Sequence, residues 1–332
     1  MTVTIAVVGT GGFAREHVAT LAALPGVRVA WVAGSDLGRA ASVASLAPGA
    51  RPTTDIRSAI EDDAVDAVDV CNATPDHARW AIAAGRAGKH VHVDKPAALS
   101  LTDFDDMVAA TRSTSLMVGQ TVRFQPAVAE LQRSLERGEI GAPRLLHLSW
   151  YTGHVWPGGW RGWQLDISKS GGHPVHNGTH AIDLAVWLMG ARPIEVFARD
   201  FPTFAAEMTM PDSFQLIVRF DNGALATLEL CYALRAPGDM LRRIMLAGTT
   251  GTLTHSTEDD SGLSSPGHPQ PPSSITGALR AQLGHWRTSI ATGTPPIVTT
   301  EQARWVLATA LAAQQSLVTG VPMRIAHEEA AA

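Results

Sequence analysis

Residues 1–122 alternate between short apolar runs and stretches in which apolar residues recur at helical spacing. The run at 3–8 is almost continuously apolar, which is typical of a strand covered on both faces. Helical spacing follows at 13–23 and stops at Pro25-Gly26. Further strands are predicted at 27–33, 65–72, 91–93 and 116–120. Repeated β-α-β units predict a doubly wound parallel sheet with right-handed crossovers, the Rossmann arrangement.

From residue 123 onward the predicted strands follow one another in runs. They are expected at 145–151, 194–199, 214–220, 225–232 and 243–247. Asp221-Asn222-Gly223 joins two of them and predicts a tight hairpin in which Asn222 and Gly223 both adopt positive φ. Residues 123–332 are therefore predicted to form an α+β domain with a large, mainly antiparallel sheet.

Two segments near the C-terminus have a different character. Residues 256–274 are dense in Ser, Pro, Gly and Asp, which predicts a long loop. The last predicted helix, at about 300–319, is apolar on more than one side. We therefore expect that helix to pack back on the first domain.

Composition and charge exclude several classes of protein. The net charge of −5 gives no basic footprint, so a nucleic-acid partner is not expected. No run reaches the ~18 apolar residues of a membrane span. The N-terminus begins with a strand instead of a signal peptide, so we expect a cytoplasmic protein. Cys71 and Cys231 lie far apart and are predicted to be reduced core residues.

A glycine-rich turn follows the first strand and opens the first helix. Its sequence is Gly9-Thr10-Gly11-Gly12-Phe13-Ala14. Gly9 permits a tight turn, Gly11 lets the backbone approach a pyrophosphate, and the small Ala14 lets the helix pack on the strand. The free N–H groups of the helix N-terminus would bind the phosphates. The turn therefore predicts a dinucleotide site that includes Gly12 and Phe13.

The end of the second strand bears on the choice between NAD and NADP. An NAD enzyme usually places Asp or Glu there to bind the ribose 2′-hydroxyl. This chain has Gly34 and Ser35, with Arg39 four residues beyond. These residues favour NADP, because they would accommodate a 2′-phosphate. Asp36 either reaches the ribose or caps the next helix.

Several short segments together match a known family. The segments are 72–77 (NATPDH), 84–96 (AGRAGKHVHVDKP), Arg123-Phe124, 138–141 (GEIG) and the stretch from Gly171-Gly172 through Asp183 to Gly190. Together they span nearly the whole chain. In these segments the chain resembles the glucose-fructose oxidoreductase / inositol dehydrogenase / MocA (Gfo/Idh/MocA) family of nicotinamide oxidoreductases.

The resemblance implies that Lys95 hydrogen-bonds the hydroxyl or carbonyl group whose oxidation state changes. A partly desolvated ammonium gives up its proton more readily. Asp94 stands where the family often has Glu, and Pro96 helps to set the lysine backbone, with a cis peptide left open. His77 is either a functional residue or a packed turn residue. The residues expected to bind the cofactor are Gly9, Gly11, Gly12, Phe13, Ala14, Gly34, Ser35, Arg39, Thr74, Pro75, His77, Asp94, Lys95 and Arg123.

The resemblance also places His180 on the catalytic histidine of the family, with Asp183 three residues on. Where the family usually has Asp, this chain has His176. Three interpretations stay open. His176 and His180 form an altered acid/base pair, or His176 binds substrate and His180 alone is catalytic, or the i,i+4 pair binds a metal. No Glu or Cys nearby completes a ligand set, so no metal is expected.

The segment upstream of these histidines lines the sugar pocket in the family. Trp156, Trp160 and Trp163 would either pack against sugar faces or fill the seam between the domains. The residues expected to bind substrate are Lys95, Arg161, Trp163, Asn177 and His180.

The activity implied by the resemblance is hydride transfer between NAD(P) and a secondary alcohol or carbonyl of a sugar, cyclitol or related polyol. A homodimer or homotetramer is expected, because the second domain of relatives commonly carries the oligomer surface. Two alternatives remain: an NAD-dependent glycosidase of the same family, and a non-catalytic NAD(P)-binding regulator. The second is suggested by the missing Asp at position 176.

Overall fold

A computed structural model describes residues 1–153, 162–201, 210–232, 234, 240–257, 263–264 and 275–327. The chain divides into two compact units. The first comprises Met1–Phe124 and Ile275–Ala303, and the second comprises Gln125–Ser274 and Arg304–Ala332. Arg161, Trp156, Trp160 and most of the predicted loop at 256–274 lie outside the described residues.

The first unit is built on a six-stranded parallel sheet with the order β3-β2-β1-β4-β5-β6. Its strands are β1 Val3–Val8, β2 Val27–Ala33, β3 Arg51–Thr53, β4 Ala67–Val70, β5 His90–Val93 and β6 Leu116–Val118. Every residue of β1 is buried, which accounts for its continuous apolar sequence. This strand order is the Rossmann arrangement, so the predicted fold class is confirmed.

Helices connect these strands, and polar caps fix where several of them begin. They are α1 Gly12–Ala22, α2 Leu37–Ala44, α3 Ile56–Glu61, α4 His77–Arg86 and α5 Leu101–Ala110, with 3₁₀ turns at Thr74–Asp76 and Thr121–Phe124. Ser100 caps α5, because its hydroxyl accepts from the backbone N–H of Asp103 at 3.1 Å. Asp55 caps α3 in the same way through the N–H of Ser58.

The second unit is built on an eight-stranded sheet with the order β13-β12-β11-β7-β10-β9-β8-β14. Its strands are β7 Pro143–Thr152, β8 Pro193–Phe201, β9 Ser213–Phe220, β10 Leu225–Cys231, β11 Met240–Gly248, β12 Thr252–Ser256, β13 Leu263–Ser264 and β14 Met323–Arg324. Only β7 and β10 pair in parallel; the other described pairs are antiparallel. The prediction of a mainly antiparallel sheet is confirmed.

The remaining helices are α6 Pro126–Glu136, α7 Ile167–Ser170, α8 His173–His176, α9 Gly178–Met189, α10 Ile275–Thr292 and α11 Thr300–Thr319, with a 3₁₀ turn at Trp163–Leu165. Within the second unit, α9 packs on β7 and β10 and is buried along most of its length. Among the described helices, none combines the length and the apolar character that crossing a bilayer requires.

Helix α10 belongs to the first unit, whereas the sequence prediction assigned all of 123–332 to the second domain. It packs on α1, on β1 and on the turn at Thr121–Phe124. Trp286 of α10 is completely buried. The Rossmann sheet is therefore covered in part by a helix that the chain supplies about 150 residues later, beyond the second sheet.

The hairpin between β9 and β10 is present, but one prediction about its turn is wrong. Gly223 has φ +79°, whereas Asn222 does not have a positive φ. Phe220 N donates to Ala224 O, and Gly223 N donates to Phe220 O, both at 3.0 Å. This is a three-residue loop with one left-handed position instead of the two-residue turn that needs two.

Candidate functional site

The glycine turn holds its shape because of a close backbone contact at Gly9. Gly9 has φ +151°, and a Cβ atom there would lie 2.7 Å from the carbonyl oxygen of Cys71. Its N–H donates to Ala33 O at 2.9 Å. The turn is thus held between the ends of β2 and β4, and any side chain larger than hydrogen would push it away from β4.

The next two glycines have open space in front of them. A Cβ atom on Gly11 or Gly12 would meet no atom of the described residues within 4 Å. Gly11 caps α1 without a side-chain hydrogen bond, so the first N–H groups of this 11-residue helix point into that space. Ala14 is completely buried, while Phe13 is exposed at the mouth of the turn. A dinucleotide pyrophosphate fits here, since the cradle has both room and donors.

At the end of β2, close packing leaves no room for a side chain at Gly34, and Asp36 caps the next helix. A Cβ on Gly34 would lie 2.5 Å from Cγ2 of Thr10. Asp36 accepts from the backbone N–H of Arg39 at 2.7 Å, so of its two predicted roles it fills that of the helix cap. Ser35 and Arg39 are both exposed, with Arg39 Nη2 at 3.5 Å from Ser35 Oγ.

Lys95 follows directly after β5 and is half-buried. Its peptide bond to Pro96 is cis. Burial lowers the pKa of Lys95, and the negative charge of the neighbouring Asp94 opposes that shift. An amine with a lowered pKa exchanges protons nearer to neutral pH, which is what an acid/base residue requires.

His77 ties the segment after Lys95 to the end of the neighbouring strand. Its side chain is buried, with Nδ1 at 2.8 Å from Pro96 O and Nε2 at 3.0 Å from Asn72 O. Both ring nitrogens therefore face backbone carbonyls. Thr74 is buried and Pro75 exposed in the same turn. The structure thus gives His77 a role in positioning the Lys95 segment, and its ring nitrogens are engaged by the protein itself.

Arg123 is also engaged within the first unit. It is 1% exposed, and its Nη1 donates to Ile297 O at 3.2 Å and to Gln302 Oε1 at 2.7 Å. These bonds attach the turn at Thr121–Phe124 to the segment between α10 and the first turn of α11. Arg123, one of the residues expected to bind the cofactor, therefore lies in a packed interior.

The histidine segment turns sharply before its first short helix. Gly171 and Gly172 have φ of +78° and +91°, and a Cβ on Gly172 would lie 2.0 Å from Gln314 Oε1. The chain then forms α8, which ends at His176, and α9, which begins after Asn177. His176 and His180 therefore lie on two consecutive helices, so their i,i+4 spacing does not place them on one face of a single helix.

Each of the two histidines contacts a tryptophan. The ring of His180 stacks on Trp150 of β7 with centroids 5.7 Å apart, and His176 meets Trp163 edge-on at 5.6 Å. Behind Trp150, the completely buried guanidinium of Arg242 lies 5.1 Å from its ring. Trp163 is 37% exposed, so its ring is partly available to a ligand. Asn177 is half-buried between the helices, and Asp183 is buried in α9.

Sequence reasoning missed two groups of residues, one in each unit. Trp150 was predicted only as part of a strand, and Arg242 lay just outside a predicted strand, although their positions opposite each other on β7 and β11 bring them together. A buried cluster of His17, Asp69 and His92 in the first unit was missed as well. The signal for it was an acid inside the apolar run Ala67–Val70.

Comparison with known proteins agrees with this arrangement. Residues 3–121 match the model described as an oxidoreductase family with an NAD-binding Rossmann fold. Residues 128–254 match the model of the GFO/IDH/MocA C-terminal domain. A solved structure of a probable dehydrogenase from Thermotoga maritima is 25% identical with a TM-score of 0.85, and covers 97% of this chain and 99% of its own.

Two curated relatives extend the comparison. Inositol 2-dehydrogenase 2 of Saccharopolyspora erythraea is 32% identical over 69% of this chain and 67% of its own length. The 1,5-anhydro-D-fructose reductase of Ensifer adhaerens is 26% identical over 94% of this chain and 96% of its own. Both domain models describe the same family, and both relatives are named as oxidoreductases. This chain therefore belongs to the Gfo/Idh/MocA family and is an NAD(P)-dependent oxidoreductase.

Proposed function

We propose that the protein transfers a hydride between a nicotinamide dinucleotide and a secondary alcohol or carbonyl carbon of a sugar, cyclitol or related polyol. The observation that carries this proposal is Lys95, half-buried directly after β5 in the unit that also holds the open glycine turn. The names of the relatives, which act on inositol and on anhydrofructose, support the class of substrate.

In this proposal the protein residues handle the proton. A bound nicotinamide would accept or supply the hydride. Lys95 would take the proton from the reacting hydroxyl during oxidation and return it during reduction. His180 would serve as the second acid/base group, since the ordinary pKa of histidine, about 6.5, lies near neutrality. Trp150 supports this role by holding one face of the His180 ring.

We further propose that His176 forms an altered acid/base pair with His180, in the place that Asp holds in most of the family. Support comes from the burial of His176 and from the edge contact with Trp163. Trp163, Asn177 and Arg161 would bind the hydroxyl groups and apolar faces of the substrate. A His176→Asp variant tests this assignment: retained activity with an altered pH profile supports it, and an unchanged pH profile contradicts it.

For the cofactor, the proposal is NADP in preference to NAD. Ser35 and Arg39 are exposed at the end of β2, and Asp36 is occupied as the cap of α2. An exposed guanidinium beside a hydroxyl suits a 2′-phosphate, whereas the acid expected of an NAD enzyme is engaged elsewhere. Titration with NADPH and NADH tests this directly, and tighter binding of NADH would contradict it.

The test of the proposed activity is a panel of sugars and cyclitols, assayed with both cofactors through the absorbance of the reduced nicotinamide. Net oxidation or reduction of at least one polyol is the expected result. Substrate turnover with a tightly retained cofactor and no net oxidation would indicate a glycosidase. Tight cofactor binding without turnover of any polyol, together with biological activity unaltered in Lys95→Ala, would indicate a regulator and would contradict the proposal.

We also propose that the protein forms a homo-oligomer through the outer face of the second sheet. Ile217, Thr227, His147 and Met245 are paired side by side across β9, β10, β7 and β11; Thr227 is half-buried and the other three are exposed. Ile217 and Met245 are 46% and 37% exposed, an apolar content that favours contact with another copy. Light scattering of the purified protein tests this proposal, and a monomer at working concentration would contradict it.

A further inference from the structure

Four buried polar side chains cross the interior of the first unit. Asp69 Oδ2 lies 2.8 Å from Nδ1 of His17, and Asp69 Oδ1 lies 2.8 Å from Nδ1 of His92. On the other side of the His92 ring, Nε2 lies 2.7 Å from Nε2 of Gln282 in α10. All four side chains are completely buried. We call these four residues the buried network.

The hydrogen bonds of the network define its proton positions. The charge of His17 and the hydrogen bonds from His17 and His92 hold the pKa of Asp69 well below its usual range against the effect of burial, so its carboxylate is ionised. A carboxylate only accepts, and each Nδ1 must therefore carry a proton. The other ring nitrogen of His92, Nε2, then accepts the hydrogen bond from the side-chain amide of Gln282. Both oxygens of Asp69 and both nitrogens of His92 are used.

Such a network is unusual in this part of a fold. Asp69 and His92 stand opposite each other on β4 and β5, two central parallel strands. Their neighbours along these strands are Val68, Val70, Val91 and Val93, as expected of strands covered on both faces. Well-packed apolar side chains stabilise such a site as well as a buried ionic group does, or better. Stability therefore does not account for the choice of residues.

The two ends of the network lead to the two parts of the proposed active site. His17 lies on α1, one turn beyond Phe13, and the rings of Phe13 and His17 are in contact with centroids 4.6 Å apart. His92 lies on β5, three residues before Lys95. Asp94 Oδ1 and Gln282 Nε2 converge on Gly119, where a Cβ would lie 3.1 and 3.3 Å from them.

We propose that His17, Asp69, His92 and Gln282 are positioning residues, which hold Asp94 and Lys95 in a fixed place relative to the glycine turn that binds the cofactor. Hydrogen bonds are directional and fix the register between α1 and β5, whereas contacts between apolar side chains tolerate small shifts. A displacement of about 1 Å at a reacting group is enough to slow catalysis about 100-fold. The inference rests on the proposed function for the role of Lys95.

The main test replaces the network by apolar residues in the full chain. In the triple variant His17→Leu, Asp69→Val, His92→Leu, we expect an unfolding temperature equal to or above that of the wild type. We expect kcat to fall by about 10- to 100-fold, with a smaller change in KM for the polyol. Lys89→Met is the matched control, because its buried Nζ bonds Asp62 O and Val65 O at the opposite end of β5. A stable triple variant with wild-type kcat would overturn the proposal.

A second variant and a second readout cover the case in which the triple variant does not fold. Gln282→Leu removes one hydrogen bond at a buried position of α10 and leaves the sequences of β4 and β5 unchanged. The chain has three lysines, Lys89, Lys95 and Lys169, so the Cε resonances of ¹³C-labelled lysine can be titrated individually by NMR. We expect the titration of Lys95 to move toward that of a free lysine in Gln282→Leu, with Lys89 and Lys169 unchanged.

The NMR readout does not depend on turnover. If the wild type converts no polyol but Lys95 still responds to Gln282→Leu, the proposed function fails and the positioning role stands. If the wild type is active and neither kcat nor the titration of Lys95 changes in a folded Gln282→Leu protein, the positioning role is refuted and the proposed function stands.

Discussion

The Nδ1 atom of His77 lies 2.8 Å from the carbonyl oxygen of Pro96, the residue that follows Lys95. Because the other ring nitrogen faces Asn72 O, one buried side chain joins the end of β4 to the segment after β5. His77→Phe would fill similar space without these bonds. We expect kcat to fall about tenfold with little change in KM for the cofactor, the scale of one lost buried hydrogen bond. His90→Phe is the matched control, because His90 lies at the opposite end of β5 and bonds Ser115 Oγ at 2.9 Å; an unchanged kcat in His77→Phe would contradict the assignment.

Removal of the Lys95 amine should abolish most of the activity but not the binding of the cofactor. In Lys95→Met we expect kcat to fall at least ~100-fold, the usual contribution of a positioned acid/base group. Fluorescence titration with the reduced cofactor should give a Kd close to that of the wild type. Lys169→Met is the control, because Lys169 is exposed and pairs with Asp166 at 3.0 Å. Equal activity in both variants would exclude Lys95 from the chemistry.

The lowered pKa of Lys95 also predicts the direction of the pH dependence. Burial disfavours the ammonium, so the neutral amine forms at a lower pH than in a free lysine. Oxidation needs the neutral amine as base, so its rate should rise as pH increases through this pKa. Reduction needs the ammonium as acid, so its rate should fall over the same range. Both limbs should disappear in Lys95→Met when kcat is measured from pH 6 to pH 10.

Replacement by alanine should have different effects on stability and on cofactor binding at two glycines of the turn. Gly9→Ala places a methyl group 2.7 Å from Cys71 O at φ +151°, and we expect a loss of about 1–3 kcal/mol in the free energy of unfolding. Gly11→Ala meets no protein atom, so we expect a change of stability within about 0.5 kcal/mol. Its cofactor Kd should nevertheless rise at least ~10-fold, because the methyl group fills the phosphate cradle. An unchanged Kd in Gly11→Ala would place the pyrophosphate elsewhere.

The buried network should give the protein a defined stability optimum in pH. Burial lowers the pKa of His17, but the charge of Asp69 and their hydrogen bond outweigh it, so the net pKa lies above 6.5. The stabilising contribution of His17 is then complete below pH 6.5 and is lost as pH rises through the raised value. Asp69, with its pKa below 3.8, contributes fully above pH 3.8 and loses its contribution as pH falls.

The pair is therefore expected to stabilise the fold most between about pH 4 and pH 6.5. Denaturant unfolding across pH 4–9 measures this dependence. The same series on Asp69→Asn is the comparison: its free energy of unfolding should vary less with pH, and an identical profile would show that the pair does not titrate as described.

Arg39 should distinguish the two cofactors. In Arg39→Ala we expect the Kd for NADPH to rise about tenfold or more, through loss of a charge-assisted hydrogen bond to the 2′-phosphate, while the Kd for NADH stays unchanged. Arg57→Ala removes another exposed arginine of the same unit, one that pairs with Glu61, and serves as the control. An equal rise in the Kd for NADPH and for NADH in Arg39→Ala would contradict a role in recognising the phosphate.

The elements with strong periodicity were predictable from the sequence. Strands β1 and β2 and helix α11 begin and end where the sequence predicts. Helix α10 was missed, although Leu279, Leu283, Trp286 and Ile290 recur at helical spacing. Two glycines and the buried polar residues Gln282 and Ser289 obscured that pattern. Strand β3 was missed because it is short, exposed and contains Pro52.

The candidate site was predictable where a motif fixes the local backbone, and less so where partners come from distant strands. The glycine turn and the cap at Ser100 depend on residues a few positions apart. The pairing of Asp69 with His92, or of Trp150 with Arg242, depends on strand register, which a single sequence does not specify. His77 illustrates the same limit, because its partner Pro96 lies 19 residues away.

The return of residues 275–303 to the first unit has a consequence for how the protein is made. A ribosome that has released residues 1–124 has supplied all six strands of the Rossmann sheet but not α10, which carries the buried Trp286 and Gln282. The nascent first unit thus stays incomplete until nearly the whole chain has been synthesised, so its final packing step follows translation of the second sheet. For the same reason, a gene shortened after codon 124 would encode a sheet that lacks part of its cover, and a minimal cofactor-binding protein would need 275–303 joined back to it.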